Sequence, residues 1–143
     1  MYQDQTWFKT WDWCVQVPQG LYNLLHWINK TYSPPEIIIT EVGAAQSAAQ
    51  ETSDDLGQIR FLKEHLSATK KAIHDGIKVT GYYVWSLMDN FEWTDGYTSK
   101  FGLMSIDFSD MNRNRKPRKS FECYRNIIRN RAVVDDNCPD GYV

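Results

Sequence analysis

Between Gly81 and Phe108 the chain reads GYYVWSLMDNFEWTDGYTSKFGLMSIDF, and rings and carboxylates alternate closely in it: Trp85, Phe91, Trp93 and Tyr97 stand beside Asp89, Glu92 and Asp95. A strand built only for burial in a parallel sheet favours Val, Ile and Leu. A pyranose, by contrast, offers C–H faces that stack on flat rings and hydroxyls that need strong acceptors, so aromatic faces set beside carboxylates suit a sugar. A further carboxylate, Glu41, follows the β-branched run Glu36 to Thr40, EIIIT. In parallel barrels the side chains at the C-terminal strand ends and in the following loops line the active site, so Glu41 is a candidate for chemistry.

The run WSLMDNFEW, Trp85 to Trp93, followed by GYTSKFGL, Gly96 to Leu103, and by Asp107-Phe108, closely resembles the signature near the C-terminal end of the glycoside hydrolase family 1 enzymes, the β-glucosidase family. Upstream, IIITEVG, Ile37 to Gly43, resembles the family's strand ending in Thr-Glu-Asn-Gly, with Val42 in place of the Asn. The resemblance implies that Glu41 is the nucleophile of a retaining mechanism. It also implies that Trp85 is the floor on which the sugar stacks, that Glu92 accepts hydrogen bonds from the outer hydroxyls with Trp93 as its partner, and that Phe101 lies near the C6 edge. The implied substrate is a small β-glucoside or β-galactoside, cleaved at its O-glycosidic bond without metal or organic cofactor.

Retaining hydrolysis needs two carboxyl groups about 5 to 5.5 Å apart, one as nucleophile and one as acid then base. The family's acid/base Glu belongs to an Asn-Glu-Pro motif, and no Asn-Glu-Pro occurs in this sequence. Asp89 and Glu92 follow the strand beside Glu41 and are the substitutes to weigh, but the resemblance gives Glu92 to sugar recognition. The chain by itself is therefore expected to be inactive. Two alternatives stand beside that reading: a catalytically silent sugar-binding or receptor-like relative, which Val42 favours because it cannot hold the hydrogen bonds of an amide, and a partial gene product with no function of its own.

The resemblance implies an α/β fold, a (β/α)8 TIM barrel, which typically takes about 250 residues. With 143 residues the chain is expected to supply the C-terminal part only, an incomplete barrel with the last two strands and their helices. Leu21, Leu24, Leu25, Ile28 and Tyr32 predict a helix over Gly20 to Tyr32, stopped by Ser33-Pro34-Pro35. A strand from Glu36 to Thr40 follows. Asp54 and Asp55 then open a helix whose stripe is Leu56, Ile59, Leu62, Leu66 and Ile73, with Gly76 as its C-terminal cap. A second strand is predicted over Tyr82 to Leu87, completing a βαβ unit. The basic run Arg113 to Lys119, RNRKPRK, reads as a solvated loop, and Ser120 begins a final helix. Residues 1–132 form the barrel portion, with an aromatic surface-packing lead-in from Met1 to Pro18 carrying Trp7, Trp11 and Trp13; residues 133–143 read as a frayed tail.

A hydrophobic content of 42% with 24% charged residues and a net charge of −2 argues against a disordered chain and against a strongly basic nucleic-acid binder. No run approaches the roughly 18 apolar residues of a membrane span, and the N-terminus lacks the basic and apolar regions of a signal peptide. That leaves the compartment open, and the sequon Asn29-Lys30-Thr31 is compatible with a secreted parent. Cys14, Cys123 and Cys138 lack metal-ligand spacing and are expected as buried or free thiols. His65 and His74, without a Cys or paired His nearby, are expected in packing or solvated roles.

Overall fold

A computed structural model describes residues 8–9, 15–47, 55–133 and 138. Two short strands, β1 (Phe8–Lys9) and β2 (Val15–Gln16), pair antiparallel ahead of helix α1 (Pro18–Tyr32). Of the aromatic lead-in, Trp7, Trp11 and Trp13 lie outside the described residues, as do Cys14 and Asp54. Pro18 sits in the first turn of α1, where its missing N–H costs no helical hydrogen bond. The helix ends as expected: Ser33 takes a left-handed conformation, its N–H bonds the Asn29 carbonyl, and Pro34-Pro35 prevent continuation.

The centre is a parallel pair, β3 (Ile37–Val42) and β5 (Val79–Val84), joined through α2 (Leu56–His74). Between β3 and α2, the short strand β4 (Gln46–Ser47) runs antiparallel to β6 (Ser99–Lys100). Farther on, β7 (Met104–Ile106) and β8 (Arg115–Pro117) form another antiparallel pair, and α3 (Lys119–Asn130) follows. This is α/β architecture without a closed barrel among the described residues, as expected of part of one.

Alternation along β3 and β5 separates two faces of the sheet. Ile37, Ile39 and Val79 pack with Leu21 and Tyr22 against the buried cluster Leu25, Ala72 and Ile77, so this face is covered by α1 and α2. The opposite face carries Ile38 and Tyr83, both exposed. A second cluster joins α2 to α3 through Ile59, Cys123, Ile127 and Cys138, with Leu56, Leu66 and Val133 around it. Helix α2 thus serves both clusters. Tyr124 of α3 donates its hydroxyl to the Tyr82 carbonyl at 3.1 Å, fixing the last helix on β5.

The structure corrects several local expectations. Strand β5 begins at Val79, not Tyr82, because the register pairs Ile37 with Val79 and Ile38 with Gly81; Ile38 Cγ2 lies only 2.8 Å from where a Cβ on Gly81 would stand. The ladder changes partner after Trp85: Ser86 N–H bonds the Phe101 carbonyl, Leu103 N–H the Ser86 carbonyl, and Met104 N–H the Leu87 carbonyl. Strand β3 likewise runs on to Val42, which places Glu41 inside its last residues. The cysteine expectation fails for two of the three, since Cys123 and Cys138 form a disulfide between α3 and the segment after it. The basic run is solvated from Arg113 to Pro117, but Arg115–Pro117 form strand β8 instead of a loop, and the solvated reading fails at Arg118, whose side chain is buried. Of the residues read as a frayed tail, Val133 and Cys138 are described and both join the α2–α3 cluster.

His65 is a core residue, stacked on Phe61 with its Nδ1 3.0 Å from the Phe61 carbonyl oxygen, whereas His74 stays exposed at the end of α2. Among the described residues no three His, Cys, Asp or Glu side chains form a metal-holding group, and no helix is long and apolar enough to cross a membrane.

Candidate active site

Two of the singled-out residues stand at the same end of the parallel pair. Glu41 precedes Val42, whose carbonyl accepts the Trp85 N–H at 2.8 Å, and Val42 is in register with Val84. Glu41 and Trp85 therefore occupy the C-terminal ends of adjacent strands. Glu41 is exposed, and its carboxylate has no hydrogen-bond or ion-pair partner among the described residues. The two ends approach so closely because Gly43 follows Val42: a Cβ at Gly43 would lie 1.6 Å from the Trp85 carbonyl oxygen. The Trp85–Ser86 peptide bond is cis.

Glu92 returns to Trp85 from the loop. Trp85 Nε1 donates to Glu92 Oε1 at 3.1 Å, which joins the ring and the carboxylate that the sequence singled out. A tight turn holds Glu92 in place: its N–H bonds the Gly96 carbonyl at 2.6 Å and its carbonyl accepts the Asp95 N–H at 2.8 Å, around a 3₁₀ turn spanning Trp93–Asp95. Trp93 opens that turn and is 85% exposed, its indole turned to solvent beside the Trp85–Glu92 pair in sequence. Phe101 is buried, with only 6% exposure, and its carbonyl accepts the N–H of Ser86, the residue after Trp85, and the Gln58 amide.

Asp89, weighed as a substitute acid, is withdrawn from solvent. Its carboxylate accepts the Gly102 N–H at 2.9 Å and the Ile106 N–H at 3.4 Å and is paired with the Arg118 guanidinium, which also donates to the Gly102 carbonyl. A carboxylate with those partners fastens three segments together and cannot present itself to a ligand.

Three residues frame the site in ways not read from sequence, where Asp55 stood only as the start of α2. Gln58, buried in the first turn of α2, donates to the Ala44 carbonyl at 3.0 Å and the Phe101 carbonyl at 3.1 Å and accepts the Ser120 hydroxyl at 3.1 Å, so one amide ties the loop after β3 to β6 and α3. Asp55 accepts the Ser120 N–H at 3.0 Å, supporting the start of α3. Arg118 is the third. Gln58 gave one weak signal, a polar residue one position before the apolar stripe residue Ile59; nothing in the basic run distinguished Arg118.

Residues 1–133 match the family model for glycosyl hydrolase family 1. Myrosinase 1 of Brevicoryne brassicae is 41% identical over 128 residues, covering 87% of this chain and 27% of the relative. Beta-glucosidase A of Thermotoga maritima is 40% identical over 122 residues, covering 83% and 27%. In three dimensions, an aphid myrosinase superposes with a TM-score of 0.81 at 40% identity over 88% of this chain and 27% of its own. The Thermotoga maritima β-glucosidase solved in complex with glucoimidazole gives 0.82 at 35% identity, over 91% and 30%. The chain thus spans about a quarter of the length of the curated relatives it matches. Parallel strands with their helices, superposing on these structures, define part of a (β/α)8 TIM barrel. The chain belongs to glycosyl hydrolase family 1.

Proposed function

We propose that this chain carries the nucleophile and much of the sugar-recognition surface of a retaining β-glycosidase acting on β-glucosides or related O-glycosides. The observation that carries this reading is the Trp85–Glu92 hydrogen bond at 3.1 Å, set on the strand end next to the one that bears Glu41. An indole that hands its N–H to a carboxylate holds that carboxylate in place and leaves the ring face free for a pyranose C–H face. Glu92 keeps a second oxygen for sugar hydroxyls, and Trp93, exposed on the next position, has an indole N–H to offer them. Glu41 attacks the anomeric carbon as the aglycone oxygen leaves, giving a glycosyl ester with inversion; water then cleaves the ester with a second inversion, restoring the configuration.

The first departure needs a proton donor. Asp89 is committed to Arg118, and Glu92 is held by Trp85, so neither is placed as an acid. General acid catalysis is worth about 10²- to 10⁴-fold, and the 143-residue chain alone is expected to lack it. Two aryl β-glucosides separate the possibilities, one with an activated leaving group and one without. The chain should leave the unactivated glucoside intact, while an activated 2-deoxy-2-fluoro glucoside should slowly label Glu41, with no label on Glu41→Gln. Rapid cleavage of the unactivated glucoside would point to an acid among the residues present and sink the assignment.

Val42 favours a second reading, a silent sugar-binding relative. Its backbone carbonyl holds Trp85, but its side chain offers nothing to orient the neighbouring carboxylate. Binding of glucoimidazole without any labelling of Glu41 would support that reading over hydrolysis.

A further inference from the structure

The end of the molecule remote from Glu41 carries a feature that sugar hydrolysis does not use. Tyr22 donates its hydroxyl to Asp75 at 2.6 Å and His26 Nε2 lies 3.2 Å from the same carboxylate, so the C-terminal cap of α2 stands beside the middle of α1. The remaining turn of α1 runs on beyond α2, and it contains Asn29-Lys30-Thr31. Asn29, Lys30 and Thr31 are all exposed. This triplet is the only Asn-X-Ser/Thr in the chain. It leads directly into the start of β3, hence lies at the N-terminal end of the strands, opposite the end that bears Glu41 and Trp85.

A sequon alone is a weak signal, because such triplets arise by chance. The disulfide between Cys123 and Cys138 is an independent observation about the same chain. Disulfides form and persist in secretory and extracellular compartments and are rare in the reducing cytosol. Those are also the compartments in which Asn-X-Thr is read. A third observation is local: Tyr32, one turn after Asn29, is 66% exposed, and residues three apart on a helix are neighbours. Its ring offers a first sugar residue an apolar face.

We propose that Asn29 is an N-glycosylation site, occupied in the same oxidising compartment in which Cys123 and Cys138 pair. In the transfer, Asn29 Nδ2 bonds to C1 of the reducing-end sugar of a lipid-diphosphate oligosaccharide. The C1–O bond to the diphosphate breaks, the lipid diphosphate departs with that electron pair, and the amide proton passes to a base of the transferase. Separately, the two thiols lose two electrons and two protons to an oxidant disulfide, which is reduced to two thiols. A glycan on the outer end of α1 leaves the strand ends that carry Glu41 unobstructed.

The test is peptide mapping of the full chain from its native source, digested without reduction. The peptide spanning Asn29 is expected to appear only after peptide-N-glycosidase in ¹⁸O water, heavier than the unmodified peptide because Asn29 becomes ¹⁸O-labelled Asp, and the Cys123 and Cys138 peptides should be cross-linked. In a secreting host, Thr31→Ser should keep the glycan and Thr31→Ala should lose it. An unmodified Asn29 in a chain whose Cys123–Cys138 peptides are cross-linked would overturn the proposal, and so would free thiols at both positions. Because the readout is mass alone, it stands or falls independently of whether Glu41 is a nucleophile.

Discussion

Arg118 grips Asp89 with two parallel contacts, Nη2 to Oδ2 at 2.9 Å and Nη1 to Oδ1 at 3.1 Å, and the two side chains retain 2% and 0% of their exposure. The pair joins the segment that leaves β5 to the residue that opens α3, and it sets the backbone on which Trp85 and Glu92 are mounted. Removing one partner of a buried ion pair leaves a charge without compensation, at a cost of about 3 to 5 kcal/mol. Asp89→Asn is expected to lower stability by that order, read as a shift in urea midpoint at unchanged slope. The joint change Asp89→Leu with Arg118→Met should recover only part of the loss, since neither charge then remains buried but the Gly102 and Ile106 backbone groups lose their side-chain partners. Two equally destabilised variants would show that the pair matters through its bonds to the Gly102 and Ile106 backbone and not through its charge.

Gly43 supports a second expectation. A methyl group there meets Trp85 backbone atoms, which cannot swing aside as a flexible side chain does. Gly43→Ala should therefore cost roughly 1 to 3 kcal/mol or more through displaced backbone, and should weaken any sugar binding with it. Gly57, inside α2 with open space around its Cα, gives the contrast. Gly57→Ala should stabilise the chain by up to about 1 kcal/mol. Chemical unfolding of the two variants side by side decides the matter, and a neutral Gly43→Ala would mean that the strand ends are looser than described.

His65 gives the chain a pH dependence. Burial lowers its pKa below the ordinary value, outweighing the Phe61 carbonyl and Glu64, which both raise it. A histidine that takes up its proton less readily when folded stabilises the fold above its unfolded pKa of about 6.5, and the contribution is lost as pH falls through the lower folded value. Amide exchange in α2, corrected for intrinsic rates, is expected to quicken between neutral pH and mildly acidic pH. His65→Gln should flatten that trend, and an unchanged trend would place its cause in another group.

What could be read in advance tracks how local the cause is. The Trp85 to Trp93 run and the Glu41 strand were legible because their residue types are improbable for packing alone, and Ser33-Pro34-Pro35 marked the end of α1 without any tertiary help. The bounds of β5 were not, because they follow from its register with β3, and Lys78 to Thr80 carries no apolar alternation of its own. Arg118 looks like its neighbours in RNRKPRK; only the chain's return past Asp89 and Gly102 turns it inward. The disulfide was hidden for a similar reason: three cysteines allow several pairings, and helix α3 decides which sulfur meets Cys138.

The parallel pair at the centre has a polarity. Among the described residues β3 and β5 pair as strands only with each other, so apart from groups such as the Tyr82 carbonyl, which takes the Tyr124 hydroxyl, each keeps an outer row of peptide N–H and C=O groups that must find water or another backbone. Both rows run in the same direction, and the exposed Ile38 and Tyr83 wait on the same side of them. A strand arriving parallel brings its C-terminal end to the side of Glu41 and Trp85, and one arriving antiparallel brings its N-terminal end there. Direction, as much as hydrophobicity, then sorts which polypeptides can extend this sheet on either flank.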